Sequence, residues 1–115
     1  MTVVEQIESA LHDIGYTVAY NPQEKTYGKQ IVIVLDQATT DVETQTTYVI
    51  AYHITLLYVA TDVIDVMKKL RLFMTTIEPN VTALSFAFES PVFDIEGTIY
   101  RVGLPCVFKE VINIE

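Results

Sequence analysis

The chain has 115 residues, half of them hydrophobic, and sets fifteen acidic against seven basic side chains for a net charge of −8. That length fits one domain, residues 1–115, burying roughly 65% of the surface its unfolded form exposes. That charge repels phosphates and argues against gripping nucleic acid through its backbone. The single cysteine, Cys106, excludes an internal disulfide framework and a cysteine-based metal cluster.

A positive mean hydropathy is high for a free-standing monomer and hints that a partner covers part of the apolar surface. The opening TVVEQIESALHD holds Glu5, Glu8 and Asp13 where an export signal needs a basic and then an apolar run, so none is expected.

Thr2-Val3-Val4-Glu5 reads as a capping box, in which the Thr2 hydroxyl and the Glu5 carboxylate each accept the other residue's amide. Val3, Val4, Ile7, Ala10, Leu11 and Ile14 then recur at helical spacing, and Gly15 supplies the stop. Tyr16–Tyr20 is a short strand. Asn21–Lys29, with Pro22 and Gly28, reads as a mobile loop. Gln30–Gln37 contains IVIVL, a strand buried on both faces. Ala38–Thr44 reads as a second, acidic loop.

Thr46–Ala60 is the stretch around which the rest is arranged. Tyr48, Ile50, Tyr52, Ile54, Leu56 and Tyr58 alternate onto one side, which predicts a long central strand with one fully buried face. Its apolar core is too short for a membrane helix, and His53 and Thr55 interrupt it.

Thr61 is the expected cap of a second helix, with Asp62 and Asp65 favoured by the positive end of its dipole. Val63, Val66, Met67, Leu70, Phe73, Met74 and Ile77 form its expected buried stripe, Asp65 and Lys69 an i,i+4 pair, and Pro79 its end. Val81–Glu89 alternates as a strand, Ser90–Gly97 reads as a turn, and Ile99–Ile112 closes the chain with Tyr100, Val102, Leu104, Cys106 and Phe108 inward. Pro105 lacks an amide proton, which predicts an edge or a bend there.

The order α-β-β-β-α-β-β predicts an α+β domain, a mainly antiparallel sheet of about five strands with two helices on one face. The four glycines form no phosphate-cradling array, so neither a P-loop nor a dinucleotide fingerprint is present.

Chemistry is sparse. His12 falls on the polar side of the first helix, where a solvated histidine is ordinary. His53 sits mid-strand between Ala51 and Thr55, as a buried or subunit-facing histidine would. Cys106 lies between Leu104 and Phe108 on the inward face, a small core residue before it is a nucleophile. Lys68, Lys69 and Arg71 cluster, but one helix cannot aim all three the same way, and a solvated face explains them. Asp94 and Glu96 lie in the expected turn. Seven tyrosines and no tryptophan suit a half-apolar, half-wet interface. No catalytic, cofactor-binding or metal site is read.

In length, acidity and element order the chain resembles the tail-terminator, or tail-completion, proteins of long-tailed bacteriophages. The residues that carry this resemblance are LHDIGYTVAY (Leu11–Tyr20) and FDIEGTIYRVGLPCVF (Phe93–Phe108), with Pro105 a departure. The resemblance implies a structural virion protein of the tail and neck, assembled in the host cytoplasm. It implies a homohexameric ring that caps the tail tube, ends tube polymerisation, docks the head connector and lets DNA through its lumen, with no enzyme activity, cofactor or membrane contact. Lys25, Tyr27 and Lys29 in the first loop, Asp41 and Glu43 in the second, and Asp94, Glu96 and Arg101 are the interface candidates, Arg101 as an intersubunit ion-pair partner. A head–tail joining or neck protein, and a small-molecule-binding or enzymatic α+β domain with a pocket near His53 and the tyrosines, are the alternatives.

Overall fold

Thr2 opens the first helix as its capping box predicts. The Glu5 amide donates to Thr2 Oγ1 at 3.1 Å, and the Thr2 amide donates to Glu5 Oε1 at 3.0 Å. The computed structural model describes residues 1–20, 28–43 and 46–113, with backbone alone at 41–43. Helix α1 (Val3–Asp13) is followed by β1 (Thr17–Ala19), β2 (Gln30–Glu43), β3 (Thr47–Ala60), α2 (Val63–Ile77), a 3-10 turn (Glu78–Asn80), β4 (Ser85–Phe88), β5 (Val92–Glu96) and β6 (Ile99–Asn113). The expected mobile loop lies outside the described residues at 21–27.

The α+β class holds, but among the described residues the sheet is mixed and six-stranded rather than mainly antiparallel with about five strands. Its order is β1-β2-β3-β6-β4, with β5 also on β6. β1 runs parallel to β2, and the other pairs are antiparallel.

Three segments depart from the sequence expectation. Residues 38–43 continue β2 instead of forming a loop. The register slips between Leu35 and Gln37 and again between Thr40 and Val42, so Asp36 and Asp41 occupy bulge positions. Aspartates are poor in a flat ladder and tolerated in bulges, and the Asp36 carboxylate takes the Thr55 hydroxyl. The expected turn over 90–97 is largely β5, which keeps all five side chains exposed and so leaves no burial signature. Only Gly97 (φ +63°) and Thr98 turn the chain into β6. Between 81 and 89, only Ser85–Phe88 pairs as a strand.

Pro105 lies in an interior strand, neither at an edge nor at a break in the β3 ladder, where it faces Thr55. Its carbonyl accepts the Glu89 amide at 2.9 Å, so this residue's polar edge points away from β3, into the gap where the chain passes from β4 to β5. The missing N–H therefore costs no bond to β3.

Both helices pack on the face carrying Ile54, Leu56, Tyr58, Val102, Leu104, Cys106 and Phe108, joined by Ile31 and Ile33 of β2. Phe73 is central to it, its ring perpendicular to those of Tyr16 (4.9 Å) and Tyr58 (4.7 Å). Cover ends before the apolar stripes do. On β3, Ile54, Leu56 and Tyr58 are buried, whereas Tyr48, Ile50 and Tyr52 are only half-buried, so the stripe is not a fully buried face. On α2, Val66, Phe73 and Ile77 are buried, but Val63 is 57% and Met67 66% exposed, against the expected stripe.

The α2 cap is Asp62, not Thr61: its carboxylate accepts the Asp65 amide at 2.8 Å. Asp65 reaches back to the Thr61 amide at 2.9 Å and to Lys69 at 3.2 Å, and Lys69 donates to the Val59 carbonyl at 3.0 Å. Partial burial pushes the Asp65 carboxyl up, but the Thr61 amide and the Lys69 ammonium outweigh it and hold it below the usual carboxylate range. A lowered native value contributes stability above the unfolded carboxylate pKa and loses it as pH falls through the native one. Asp65→Asn is expected to cost about 1 kcal/mol at pH 7, and urea midpoints should converge with wild type only as pH falls below the usual carboxylate range.

Candidate functional site

The sequence candidates separate into two ends of the sheet. Asp94, Glu96 and Arg101 come together on the β5–β6 hairpin, where Asp94 lies opposite Arg101 in register. Arg101 Nε donates to Glu96 Oε2 at 2.9 Å, an ion pair within the chain. Lys29 is exposed at the start of β2, its carbonyl taking the Thr17 amide at 2.9 Å. Asp41 occupies the second bulge and Glu43 faces Tyr48, both toward the opposite end of the strands. Lys25 and Tyr27 lie outside the described residues.

The groups considered for chemistry remain apart. His12 is exposed in the last turn of α1. His53 Nδ1 stands 3.7 Å from Glu89 on the sheet face away from the helices, with both side chains a third or more exposed. Cys106 is buried beside the Leu104 carbonyl, and burial pushes its thiol up to about 12, which suppresses the thiolate a nucleophile requires. No group of three His, Cys, Asp or Glu side chains among the described residues is placed to hold a metal ion. Among the described residues no helix is long and apolar enough to cross a membrane.

What the fold does build is apolar surface, at two places that the candidate residues missed. The first is a ridge on the outer side of α2 and on β5. Val63, Val66, Met67, Leu70, Phe93 and Tyr100 line a shallow apolar depression there. Ile64 and Ile95 extend it, 64% and 60% exposed. Phe93 pairs with Val102 and Ile95 with Tyr100, so both face the helix side of the sheet. Lys68 and Arg71 stand exposed beside it, at helical spacing from Ile64 and Met67, and make no ion pair among the described residues.

The second is a groove of about 410 Å³ between the start of α1 and the sheet, lined among others by Val4, Tyr20, Ile33, Leu35, Tyr52 and Phe108. Tyr52 and Phe108 stack across its floor with centroids 5.2 Å apart. Leu35 is 60% exposed at the mouth. Carboxylates surround it: Glu110 belongs to the wall, Glu8 takes the Tyr20 hydroxyl, and Glu5 holds the Thr2 cap. Burial and then the Glu8 carboxylate push the Tyr20 phenol well above its ordinary value, so it stays protonated and donates. The sequence signal for both surfaces was present, as apolar stripes on α2 and β3 longer than two helices and one sheet face can cover.

Set against known proteins, the chain matches no family model, and no curated protein matches it.

Proposed function

We propose that this chain is a self-associating structural subunit of the tail-terminator kind, a ring that caps a phage tail tube and presents a docking surface to the head connector. The observation that carries the reading is the excess of apolar surface. Val63, Ile64, Met67, Leu84, Val92, Phe93 and Ile95 are all exposed in the single chain, and exposed apolar side chains gathered together mark interaction surfaces. The shape supports it too. The chain extends 52 × 25 × 22 Å, with a radius of gyration of 15.2 Å, against about 13 Å for a compact domain of this length. The acidic balance suits a lumen through which DNA passes without being held.

The 410 Å³ groove favours a second reading, a small-molecule-binding domain, because its size falls in the range of ligand pockets. Yet two of its polar side chains are already engaged, Tyr20 with Glu8 and Thr2 with Glu5, which leaves few to orient a ligand.

Native mass spectrometry and light scattering across concentration and salt test the proposal, with and without purified tail tubes. The expected result is a closed species near six times the 13.0 kDa chain mass, seen as a pore by negative stain or formed on the tube ends. A dimer that ignores the tubes overturns it and returns attention to the ligand-binding reading.

A further inference from the structure

The two apolar surfaces are complementary in charge. The ridge carries the exposed cations Lys68 and Arg71 on α2, while the groove has Glu110 in its wall and Glu5 and Glu8 bonded to its lining residues Thr2 and Tyr20. Both lie on the helix side of the sheet at different heights. The ridge borders Tyr100–Val102 of β6 and the groove Phe108–Glu110, roughly 26 Å further along the strand. Two different patches this far apart on one chain leave each free to engage a different neighbour.

We propose that the α2–β5 ridge of one copy seats in the α1–β2–β3 groove of the next, a head-to-tail contact between copies of this chain. The proposal rests on the self-association reading above and specifies its interface. A second copy is the occupant because one chain carries both halves of the match, two exposed apolar surfaces with cations beside one and carboxylates beside the other. Made once between each pair of copies, a contact between unlike patches is heterologous, so it repeats from copy to copy and closes into a ring or runs on as a filament. Lys68, Arg71 and Glu5 are exposed and Glu8 and Glu110 half-buried, so the rim charges steer and orient the pair and assembly weakens with salt, while the apolar contact supplies most of the affinity.

Complementation separates this geometry from the alternatives. Met67→Glu spoils the ridge and leaves the groove intact; Leu35→Glu spoils the groove and leaves the ridge. Both side chains are exposed in the single chain, at 66% and 60%, so neither substitution disturbs the core, and circular dichroism verifies folding. Each variant alone is expected to weaken association at least about 30-fold and to run as a monomer where wild type assembles. Mixed, they form a complex of two copies and nothing larger, because one good ridge then meets one good groove. Wild-type-like assembly of either variant, or a mixture that stays monomeric, overturns the head-to-tail contact. If the variants assemble and still cap tubes, the ring reading survives and only this interface is lost. A wild-type chain that stays monomeric at every concentration and on tubes overturns both.

Discussion

Phe73→Ala is expected to cost about 4 kcal/mol, the upper range for emptying a buried aromatic site, and to reduce a domain of ordinary stability to a fraction of its wild-type value. Phe73 is fully buried, and its ring fills the space between the Tyr16 and Tyr58 edges. Those neighbours come from the segment after α1 and from β3, so one ring ties α2 to the two elements it must meet. Collapse around the vacancy is resisted because Tyr58 is itself buried, 2% exposed, and belongs to the central strand. Urea unfolding followed by tyrosine fluorescence reads the loss directly. Phe73→Leu, which refills most of the volume, should recover more than half of it; equal losses for the two variants would mean that the aromatic packing, rather than the filled volume, sets the cost.

The second large effect concerns the proline in β6. Moving it by one residue, as Leu104→Pro with Pro105→Val, is expected to cost about 3 kcal/mol more than Leu104→Ala alone. The odd residues of this strand direct their polar groups toward β4 and β5, as the Pro105 and Lys109 carbonyls show by accepting the Glu89 amide at 2.9 Å and the Leu84 amide at 3.1 Å. Leu104 therefore directs its N–H at Leu56 of β3, in the middle of the longest ladder of the sheet. A proline there deletes a central bond and forces its ring against the neighbouring strand, whereas Pro105→Val alone should stay within about 0.5 kcal/mol of wild type. Chemical denaturation of the three variants measures this. Parity of cost between positions 104 and 105 would contradict the assigned direction of the ladder.

Neither substitution touches the exposed side chains of the proposed contact between copies. The core positions set whether the chain folds and the surface positions what it then meets, so variants of the two kinds should behave additively.

Local pattern by itself determined the first helix, from Thr2 and Glu5 to Gly15, because capping and helical periodicity act within a few residues. It also determined the central strand and the α+β class, since alternation in Thr47–Ala60 and the stripe of α2 are properties of contiguous segments. Burial could not be read in the same way. The sequence marks Val63 and Met67 as apolar at core spacing, but only the placement of β5 and the limited length of two helices decide that these side chains face outward. Nor does a pattern distinguish an acidic turn from an exposed strand: Asp94 and Glu96 belong to β5 because β6 offers an edge to pair with, and Arg101 on it takes the Glu96 carboxylate. Asp36 and Asp41 are likewise held in β2 by the ladder of β3, which absorbs each as a bulge. Pro105 is tolerated in an interior strand because its carbonyl edge meets the gap between two short partners. Periodicity reports which side chains are apolar; what covers them, and which backbone edges find partners, depends on elements distant in sequence and is fixed only when the sheet assembles.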